Sequence, residues 1–255
     1  MIKFGPAGTG MSSLEGVKQI AKLGLGAVEI EFTYGVRMSN QLAKEVGDEA
    51  KKLKLDLSVH APYYINLASE DKKKIEASKI RILQSCERAH YLNAKYVVFH
   101  PAFYGKRSHE EVYGMVKEAV ADMQQVIKKK GWNVVLAPET TGKKSQFGDI
   151  DELLKLKKET GCHLTVDFAH IKAREGKIDY KEVFDKLKQV KHIHAHFSGI
   201  DFTPKGERRH LITSRQDLAP LLAEIKKRKA DITIINESPD PVGDSLKAKK
   251  LLAEI

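Results

Sequence analysis

The sequence is poor in cysteine, with only Cys86 and Cys162 among its 255 residues. Two isolated thiols, neither in a Cys-x-x-Cys pair, do not form a disulfide framework or a thiolate zinc site. We therefore expect both cysteines to be small buried apolar residues and the protein to work in a reducing compartment, the cytoplasm. Any metal ion that it binds must then be held by imidazole and carboxylate groups.

Long apolar runs are also absent. No stretch approaches the roughly 20 apolar residues that a membrane-spanning helix needs. The first residues, Met1 to Pro6, lack the layout of a signal peptide and are typical of a strand. We therefore expect no membrane partner, and nothing in the sequence indicates an obligate protein partner.

Acidic residues are outnumbered, since 34 Asp and Glu stand against 44 Lys and Arg, for a formal net charge of +10. A basic surface favours an anionic partner such as nucleic acid. The alternative is that the lysines only solvate the outer faces of helices. Composition leaves both interpretations open, while the hydrophobic fraction of 42% is enough to fill a core.

A short apolar strand followed by an amphipathic helix recurs eight times along the chain. The predicted strands are 2–5, 27–32, 55–60, 95–100, 133–138, 164–167, 192–197 and 232–236, and the predicted helices are 12–23, 40–53, 69–92, 108–130, 150–160, 180–187, 214–228 and a last one from 243. Such alternation is typical of a parallel sheet covered by helices. Because no linker divides the chain, it predicts an α/β fold, a single (β/α)₈ TIM barrel over residues 1–255.

Histidine and carboxylate residues recur where the predicted strands end. They are His60, His100, Glu139, Asp167, His196 and Glu237, with His170 and His210 in the segments that follow. In barrels of this kind the active site lies at the carboxyl ends of the strands. We therefore expect one converging metal site there. The stretch Leu164 to His170 is interpreted as a strand running into a loop, with a capping pair as the alternative.

This combination of ligands indicates which metals the site could bind. Carboxylate oxygen with imidazole nitrogen suits zinc, and also manganese or iron. Eight candidate ligands are too many for one ion and suggest two or three. Two ions roughly 3.5–4 Å apart can bind both the attacking and the leaving oxygen in a displacement at phosphorus. We expect His194 to lie behind the ligands and His192 to be structural.

The loops at the same end carry basic and aromatic side chains. The basic residues are Arg37, Lys106, Arg107, Lys143, Lys144, Lys172, Arg174, Lys205, Arg208 and Arg209. A basic rim around a metal site fits a phosphate backbone. Tyr63, Tyr64 and Phe103 could stack on a base or fill the space of a displaced one. Packing within the loops is the alternative for each of them alone.

Taken in order, these motifs resemble endonuclease IV over nearly the whole chain. The residues that carry the resemblance are His60-Ala61-Pro62-Tyr63, Ile65-Asn66-Leu67, Phe99-His100-Pro101, Glu139-Thr140 with Gly142, Asp167-Phe168-Ala169-His170, His196-Phe197-Ser198-Gly199, Arg209-His210 and Asn236-Glu237-Ser238-Pro239. The resemblance implies a zinc-dependent apurinic/apyrimidinic endonuclease on a (β/α)₈ barrel, acting on duplex DNA with abasic sites. Incision 5′ to the lesion would leave a 3′-hydroxyl and a 5′-deoxyribose phosphate.

The resemblance also implies a role for each matching residue. The expected zinc ligands are His60, His100 and Glu139 for the first ion, Glu139, Asp167, His196 and Glu237 for the second, and His170 and His210 for the third. Glu139 would be catalytic because it bridges two ions. Arg37 and Tyr63 match positions that the family uses to probe DNA.

One position departs from the family pattern. The family usually has Asp two residues before the histidine that matches His210, whereas this chain has Arg208 there and Glu207 one residue further away. Glu207 could complete the third site, or two histidines and water could form it. The resemblance therefore implies two or three zinc ions per chain, with manganese as the alternative metal.

Two other functions stay open. A sugar isomerase or epimerase of the xylose-isomerase-like barrels would need one Mn²⁺ or Mg²⁺, and Glu139, Asp167, His196 and Glu237 could bind it. A metal-stabilised nucleic-acid-binding protein without catalysis is the third interpretation. The additional histidines and the basic rim favour the nuclease.

Overall fold

The computed structural model describes residues 1–255. The strands are β1 (Ile2–Pro6), β2 (Ala27–Glu31), β3 (Asp56–His60), β4 (Tyr96–Phe99), β5 (Ala102–Phe103), β6 (Val135–Pro138), β7 (Gln146–Phe147), β8 (Thr165–Asp167), β9 (Ile193–Phe197), β10 (Gly199–Thr203), β11 (Gly206–Leu211) and β12 (Ile232–Asn236). The helices are α1 (Ser13–Lys22), α2 (Asn40–Lys52), α3 (Lys72–Tyr91), α4 (His109–Lys130), α5 (Ile150–Thr160), α6 (Phe168–Glu175), α7 (Tyr180–Lys186), α8 (Arg215–Arg228) and α9 (Pro241–Glu254).

Eight of the strands form the predicted barrel. They lie in two parallel four-stranded sheets, in the orders β1-β12-β9-β8 and β2-β3-β4-β6. Two single parallel bridges join these sheets, one between Ala7 and Glu29 and the other between Glu139 and Thr165. The closed arrangement confirms the (β/α)₈ prediction.

Local sequence signals set most helix ends. The Ser108 side chain caps α4 in a reciprocal capping box with Glu111, and α4 ends at Gly131 in the left-handed conformation. The predicted start of α3 at residue 69 is wrong by three residues, because the Asp71 side chain accepts the Lys73 N–H and caps the helix there.

Apolar side chains are divided between two faces of the barrel wall. Val97 and Phe99 of β4 belong to the large buried cluster between strands and helices, whereas Tyr96 and Val98 form a small inner cluster with Ala137. Around Tyr96 the inner face is polar. Ser58 and Glu29 are buried in register with Tyr96, and Thr165, His194 and Thr233 are buried in register with one another on the other sheet. The barrel interior therefore continues the polar character of the strand tips inward.

Two connections differ from what the sequence predicts. The segment after Asp167 is not a loop, because α6 begins at the next residue. The Asp167 carboxylate accepts the His170 N–H at 2.8 Å, so the capping alternative is confirmed. Residues 199–211, for which no element is predicted, form the antiparallel hairpin β10–β11, and His210 lies on β11.

Arg174 is not part of a basic rim. It lies on α6, is 7% exposed, and donates hydrogen bonds to the carbonyls of Lys143 (2.6 Å) and Gln146 (2.8 Å). Lys172 on the same helix is paired with Asp217 at 2.6 Å. Both cations are therefore paired with other groups of the protein and are not available to a ligand.

The cysteine prediction is confirmed, since Cys86 and Cys162 are both free and buried. Burial raises the pKa of the Cys86 thiol, which keeps it protonated and inert. None of the helices combines the length and the apolar character that crossing a membrane requires.

Gly5 offers a test of the junction between the two sheets. A Cβ at Gly5 would overlap the backbone carbonyl of Ala27, where β1 approaches β2. We expect Gly5→Ala to lower the free energy of unfolding by about 1–3 kcal/mol, measured by urea denaturation. The control is Gly114→Ala on the exposed face of α4, where nothing lies within 4 Å. That change should stabilise the protein by roughly 0.5–1 kcal/mol, and equal effects of the two substitutions would contradict the close approach.

Candidate metal centre

The Glu139 carboxylate lies at the centre of the strand-tip residues and is fully buried. Its Oε2 is 3.1 Å from His60 Nε2 and 3.0 Å from His100 Nε2. Its Oε1 is 3.1 Å from His170 Nδ1 and 3.3 Å from His196 Nδ1. One carboxylate therefore contacts four imidazoles that come from separate parts of the chain.

The charges in this cluster stabilise one another. Burial alone would raise the pKa of Glu139, but His100 and His196 hold that pKa well below its ordinary value. Burial likewise opposes a charge on His60, yet the hydrogen bond to Glu139 and the charge of Glu31 raise the pKa of His60 to about 10. The carboxylates thus attract positive charge strongly, and either protons or metal ions can supply it.

Asp167 and Glu237 complete the inner part of the cluster. Glu237 Oε1 is 3.1 Å from His196 Nδ1, and Asp167 Oδ2 is 3.4 Å from His170 Nδ1. Ligand atoms of Glu139, Asp167, His170 and Glu237 all lie within 4.8 Å of one another, as do those of His60, His100 and Glu139. The two groups share Glu139.

The donor set fits metal ions. Glu139 Oε1, Asp167 Oδ2, His170 Nε2 and His196 Nδ1 are buried without a hydrogen-bond partner. Such atoms are costly to bury unless something compensates them. Oxygen and nitrogen atoms that converge in this way could hold zinc or a similar divalent cation.

Three of the histidines are oriented by a hydrogen-bond partner on Nδ1. The pairs are His60 Nδ1 with the Ala61 carbonyl (2.8 Å), His170 Nδ1 with the Thr140 carbonyl (2.9 Å) and His210 Nδ1 with the Ser198 hydroxyl (2.6 Å). A carbonyl can only accept, so it fixes the proton on Nδ1 of the first two. Nε2 is then left for a ligand, as is usual for metal-binding histidines. It faces Glu139 in His60 and Glu207 in His170.

Glu207 lies between the two histidines of the third expected site. Its Oε2 is 3.4 Å from His170 Nε2 and its Oε1 is 3.6 Å from His210 Nε2. Glu237 Oε2 is 4.0 Å from His210 Nε2. The geometry therefore brings a carboxylate to the place where the sequence departs from the family pattern.

A β-bulge explains how Glu207 reaches this place. Phe202 pairs with Glu207 and Asp201 pairs with Arg209, so Arg208 is an extra residue on β11. Residues three apart on a regular strand face opposite sides, and one extra residue restores them to the same side. Arg208 turns outward, with a side chain that is 65% exposed and 3.7 Å from Asp201.

Gly142 provides the space that Glu207 occupies. A Cβ at Gly142 would lie 2.7 Å from both Cβ and Oε2 of Glu207 and 3.1 Å from His170 Cδ2. The Glu207 N–H also donates to the Gly142 carbonyl at 3.0 Å. The loop after β6 therefore holds the hairpin against the metal centre.

Glu29 on the inner face of β2 is a site residue that the sequence patterns miss. Its Oε1 is 2.8 Å from His196 Nε2, and its Oε2 accepts hydrogen bonds from Ser58 Oγ (2.6 Å) and His194 Nε2 (3.0 Å). The available signal is a carboxylate at an inward position of an apolar strand, two residues before the tip. The expectation for His194 agrees with this geometry, since His194 lies behind His196.

Glu31, at the tip of β2, is a second acidic residue that the patterns miss. Its Oε1 is buried without a hydrogen-bond partner. Burial raises the pKa of Glu31 to about 8, although His60 opposes the shift.

Exposed aromatic side chains surround the mouth of the site. Tyr63 is 61% exposed, and its ring centroid lies 6.4 Å from that of His60. Tyr64 and Phe103 are also exposed, as is Tyr34, which the sequence patterns do not single out. Arg37 is exposed in the loop between β2 and α2. These residues follow β2, β3 and β4 and share the face that carries the cluster.

Solved structures with the same fold include both nucleases and sugar epimerases. Endonuclease IV from Thermus thermophilus matches with a TM-score of 0.74 at 20% identity, over 99% of this chain and 100% of that one. A D-tagatose 3-epimerase-like protein matches with a TM-score of 0.75 at 20% identity, over 99% and 96%. At this identity both show the fold alone.

Sequence relatives bear out the resemblance to endonuclease IV. An uncharacterized protein of Methanocaldococcus jannaschii is 38% identical over 257 residues, covering 94% of this chain and 92% of the relative. A probable endonuclease 4 of Mycoplasma mobile is 30% identical over 165 residues, covering 60% and 57%. The family model described as "Xylose isomerase-like TIM barrel" matches residues 17–255. The chain therefore belongs to the xylose isomerase-like TIM barrel family.

Proposed function

We propose that the protein is a zinc-dependent apurinic/apyrimidinic endonuclease that hydrolyses the phosphodiester 5′ to an abasic site in duplex DNA, as a step of base excision repair. The observation that carries this proposal is the size of the cluster. Glu139 contacts four imidazoles, and Glu207 adds a carboxylate beside His170 and His210. One ion uses about four protein ligands, so this set is suited to two or three.

We assign the ligands to three groups, of which the first two share Glu139. His60, His100 and Glu139 would hold one ion, Glu139, Asp167, His196 and Glu237 a second, and His170, Glu207 and His210 a third. Bound zinc supplies Lewis acidity, which lowers the pKa of water and neutralises charge on a phosphate. Glu139 would be catalytic because its two oxygens face different groups and keep the ions close together.

The protein surface around the cluster would bind the DNA. Lys106, Lys143, Lys144, Lys205, Arg208 and Arg209 are exposed in the loops and the hairpin at this face. Cations placed in this way contact phosphates and hold the duplex in position without reading its sequence. Tyr63 and Arg37 would probe the lesion, where a missing base leaves space for a side chain.

With bound zinc lowering the pKa of water, the chemistry would require no general base from a side chain. The products would be a 3′-hydroxyl and a 5′-deoxyribose phosphate. The Mycoplasma mobile relative, a probable endonuclease 4, supports this assignment.

A single-metal sugar isomerase or epimerase is the second candidate, because the D-tagatose 3-epimerase-like structure matches the fold equally well. Glu139, Asp167, His196 and Glu237 would then bind one ion. That function gives no role to the imidazoles of His60, His100, His170 and His210. It also leaves the exposed aromatic residues at the mouth without a partner.

The direct test is cleavage of a duplex that carries one abasic analogue unable to undergo β-elimination. We expect incision on the 5′ side of the lesion, loss of incision with a chelator, and recovery when zinc is added. The metal content of the same sample should be two to three zinc ions per chain.

A matched duplex without the lesion is the control, and it should stay intact. Absence of incision by a sample that holds its full metal content would reject the nuclease. One manganese or magnesium ion per chain with turnover of a ketose would favour the epimerase instead.

The third group of ligands is tested by a pair of substitutions on β11. Glu207→Gln removes the carboxylate between His170 and His210, so we expect one zinc ion to bind at least roughly tenfold more weakly. Arg208→Asp places its new carboxylate on the outer face and should leave zinc content unchanged. Chelator competition measures both, and a gain of zinc in Arg208→Asp would show that the bulge is assigned incorrectly.

The DNA-binding face is tested by comparing two cations. Arg37→Ala should weaken binding to duplex DNA and reduce the slope of log K against log salt by about 1. Lys128→Ala, at the exposed end of α4 on the outside of the barrel, should change neither quantity. Fluorescence anisotropy over a salt series gives both slopes, and similar slopes for the two variants would contradict the proposed face.

A further inference from the structure

His196 is oriented differently from the other histidines of the cluster. His60 and His170 donate from Nδ1 to backbone carbonyls, and their Nε2 atoms face Glu139 and Glu207 respectively. His196 turns Nδ1 to the cluster, and its Nε2 lies 2.8 Å from Glu29 Oε1. A carboxylate thus takes the place that a backbone carbonyl has at His60 and His170.

From this geometry we infer that Glu29 is a positioning residue for the metal centre, which accepts the Nε2–H of His196 and fixes the ring with Nδ1 toward Glu139 and Glu237. Glu29 Oε1 and His196 Nε2 are both buried with no other hydrogen-bond partner. A carboxylate oxygen can only accept, so their 2.8 Å approach is favourable when Nε2 carries the proton. A neutral imidazole has one lone pair, which is then on Nδ1. Partners of this kind raise the basicity of a ligating histidine and fix its orientation.

Glu29 is itself held in place. It is fully buried, and its Oε2 accepts hydrogen bonds from Ser58 and His194. Ser58 is its register neighbour on β3, and His194 lies two residues before His196 on β9. With Oε2 fixed by two donors, Oε1 cannot turn away from His196.

A separate ion held by Glu29, His194 and His196 is the competing interpretation, because their ligand atoms lie within 4.8 Å of one another. The hydrogen bonds oppose it, since His194 Nε2 and Glu29 Oε2 are already paired. The position of His196 Nδ1 opposes it as well. Nδ1 lies 3.1 Å from Glu237 Oε1 and 3.3 Å from Glu139 Oε1, where it faces the ligands of the second ion.

The network also lies close to the opposite end of the barrel. Ser58 and His194 line a cavity of about 800 Å³ that extends to Met1 and Asp231 at the amino-terminal end of the strands. The polar groups behind Glu29 are therefore near solvent. Two fixed donors on Oε2 keep the carboxylate directed at His196 in spite of that access.

The inference rests on the metal-binding part of the proposed function and is tested without DNA, so its failure is measured separately from failure of the nuclease. Glu29→Gln keeps the shape and removes the charge. We expect one of the bound zinc ions to be held about 10–100-fold more weakly, with the other ions unchanged, in competition against a chromophoric chelator. Ser58→Ala leaves Oε1 untouched and should have a smaller effect in the same direction.

Nuclear magnetic resonance of the zinc-loaded protein with ¹⁵N-labelled histidine provides a second readout. The wild type should show a protonated Nε2 on His196 whose proton exchanges slowly with water. In Glu29→Gln this proton should exchange faster and shift upfield. If Glu29→Gln does not fold, the wild-type spectrum and the zinc affinity of Ser58→Ala still test the inference.

Two outcomes would overturn the inference. Unchanged zinc affinity together with an unchanged His196 signal would show that Glu29 has no positioning role. Loss of one complete zinc equivalent in Glu29→Gln, with no protonated Nε2 on His196 in the wild type, would show that Glu29, His194 and His196 bind an ion of their own.

Discussion

The buried Glu139 carboxylate is the constraint on which the rest of the structure depends. A fully buried charge without partners would cost several kcal/mol, and removing one partner of such a group typically costs about 3–5 kcal/mol. Four imidazoles surround its two oxygens, so four separate segments of the chain must each place a histidine beside the same carboxylate. Barrel geometry makes this possible, because parallel strands bring their carboxyl ends to one face. The fold and the candidate site therefore share one requirement, the register of the strands.

The same coupling appears at the two places where the four-stranded sheets join. The backbone of Glu139 forms one bridge, with Thr165, and the backbone of Glu29 forms the other, with Ala7. Their side chains approach His196 from opposite sides, Glu139 at Nδ1 and Glu29 at Nε2. A shift at either junction would move a carboxylate away from this ring. Closure of the barrel and orientation of the candidate metal ligand His196 thus depend on the same strand register.

Sequence patterns predict the barrel and the residues at the strand tips, because both depend on local alternation and on the place where a strand ends. The hairpin β10–β11 escapes prediction, since Gly206, Glu207, Arg208 and Arg209 show no apolar alternation. The bulge that turns Glu207 inward depends on pairing with β10, which no local signal encodes. Glu29 has the same difficulty, because its partner His194 is 165 residues away in the chain. Charges at inward positions of apolar strands are the signal that would identify such residues.

The distribution of charge links metal binding to the proposed substrate. The cluster and its surroundings contain the carboxyl groups of Glu29, Glu31, Glu139, Asp167, Glu207 and Glu237, inside a protein whose net charge is +10. A phosphate attracted by the basic face would be repelled by these carboxylates unless positive charge compensates them. Protons on the histidines can do so, as the raised pKa values of His60, His170 and His196 indicate. Metal binding replaces those protons and leaves the imidazole lone pairs directed at the ions. In the proposed nuclease, the acidic centre would therefore become compatible with a phosphodiester when metal binds, and the exposed cations around it would attract the DNA beforehand.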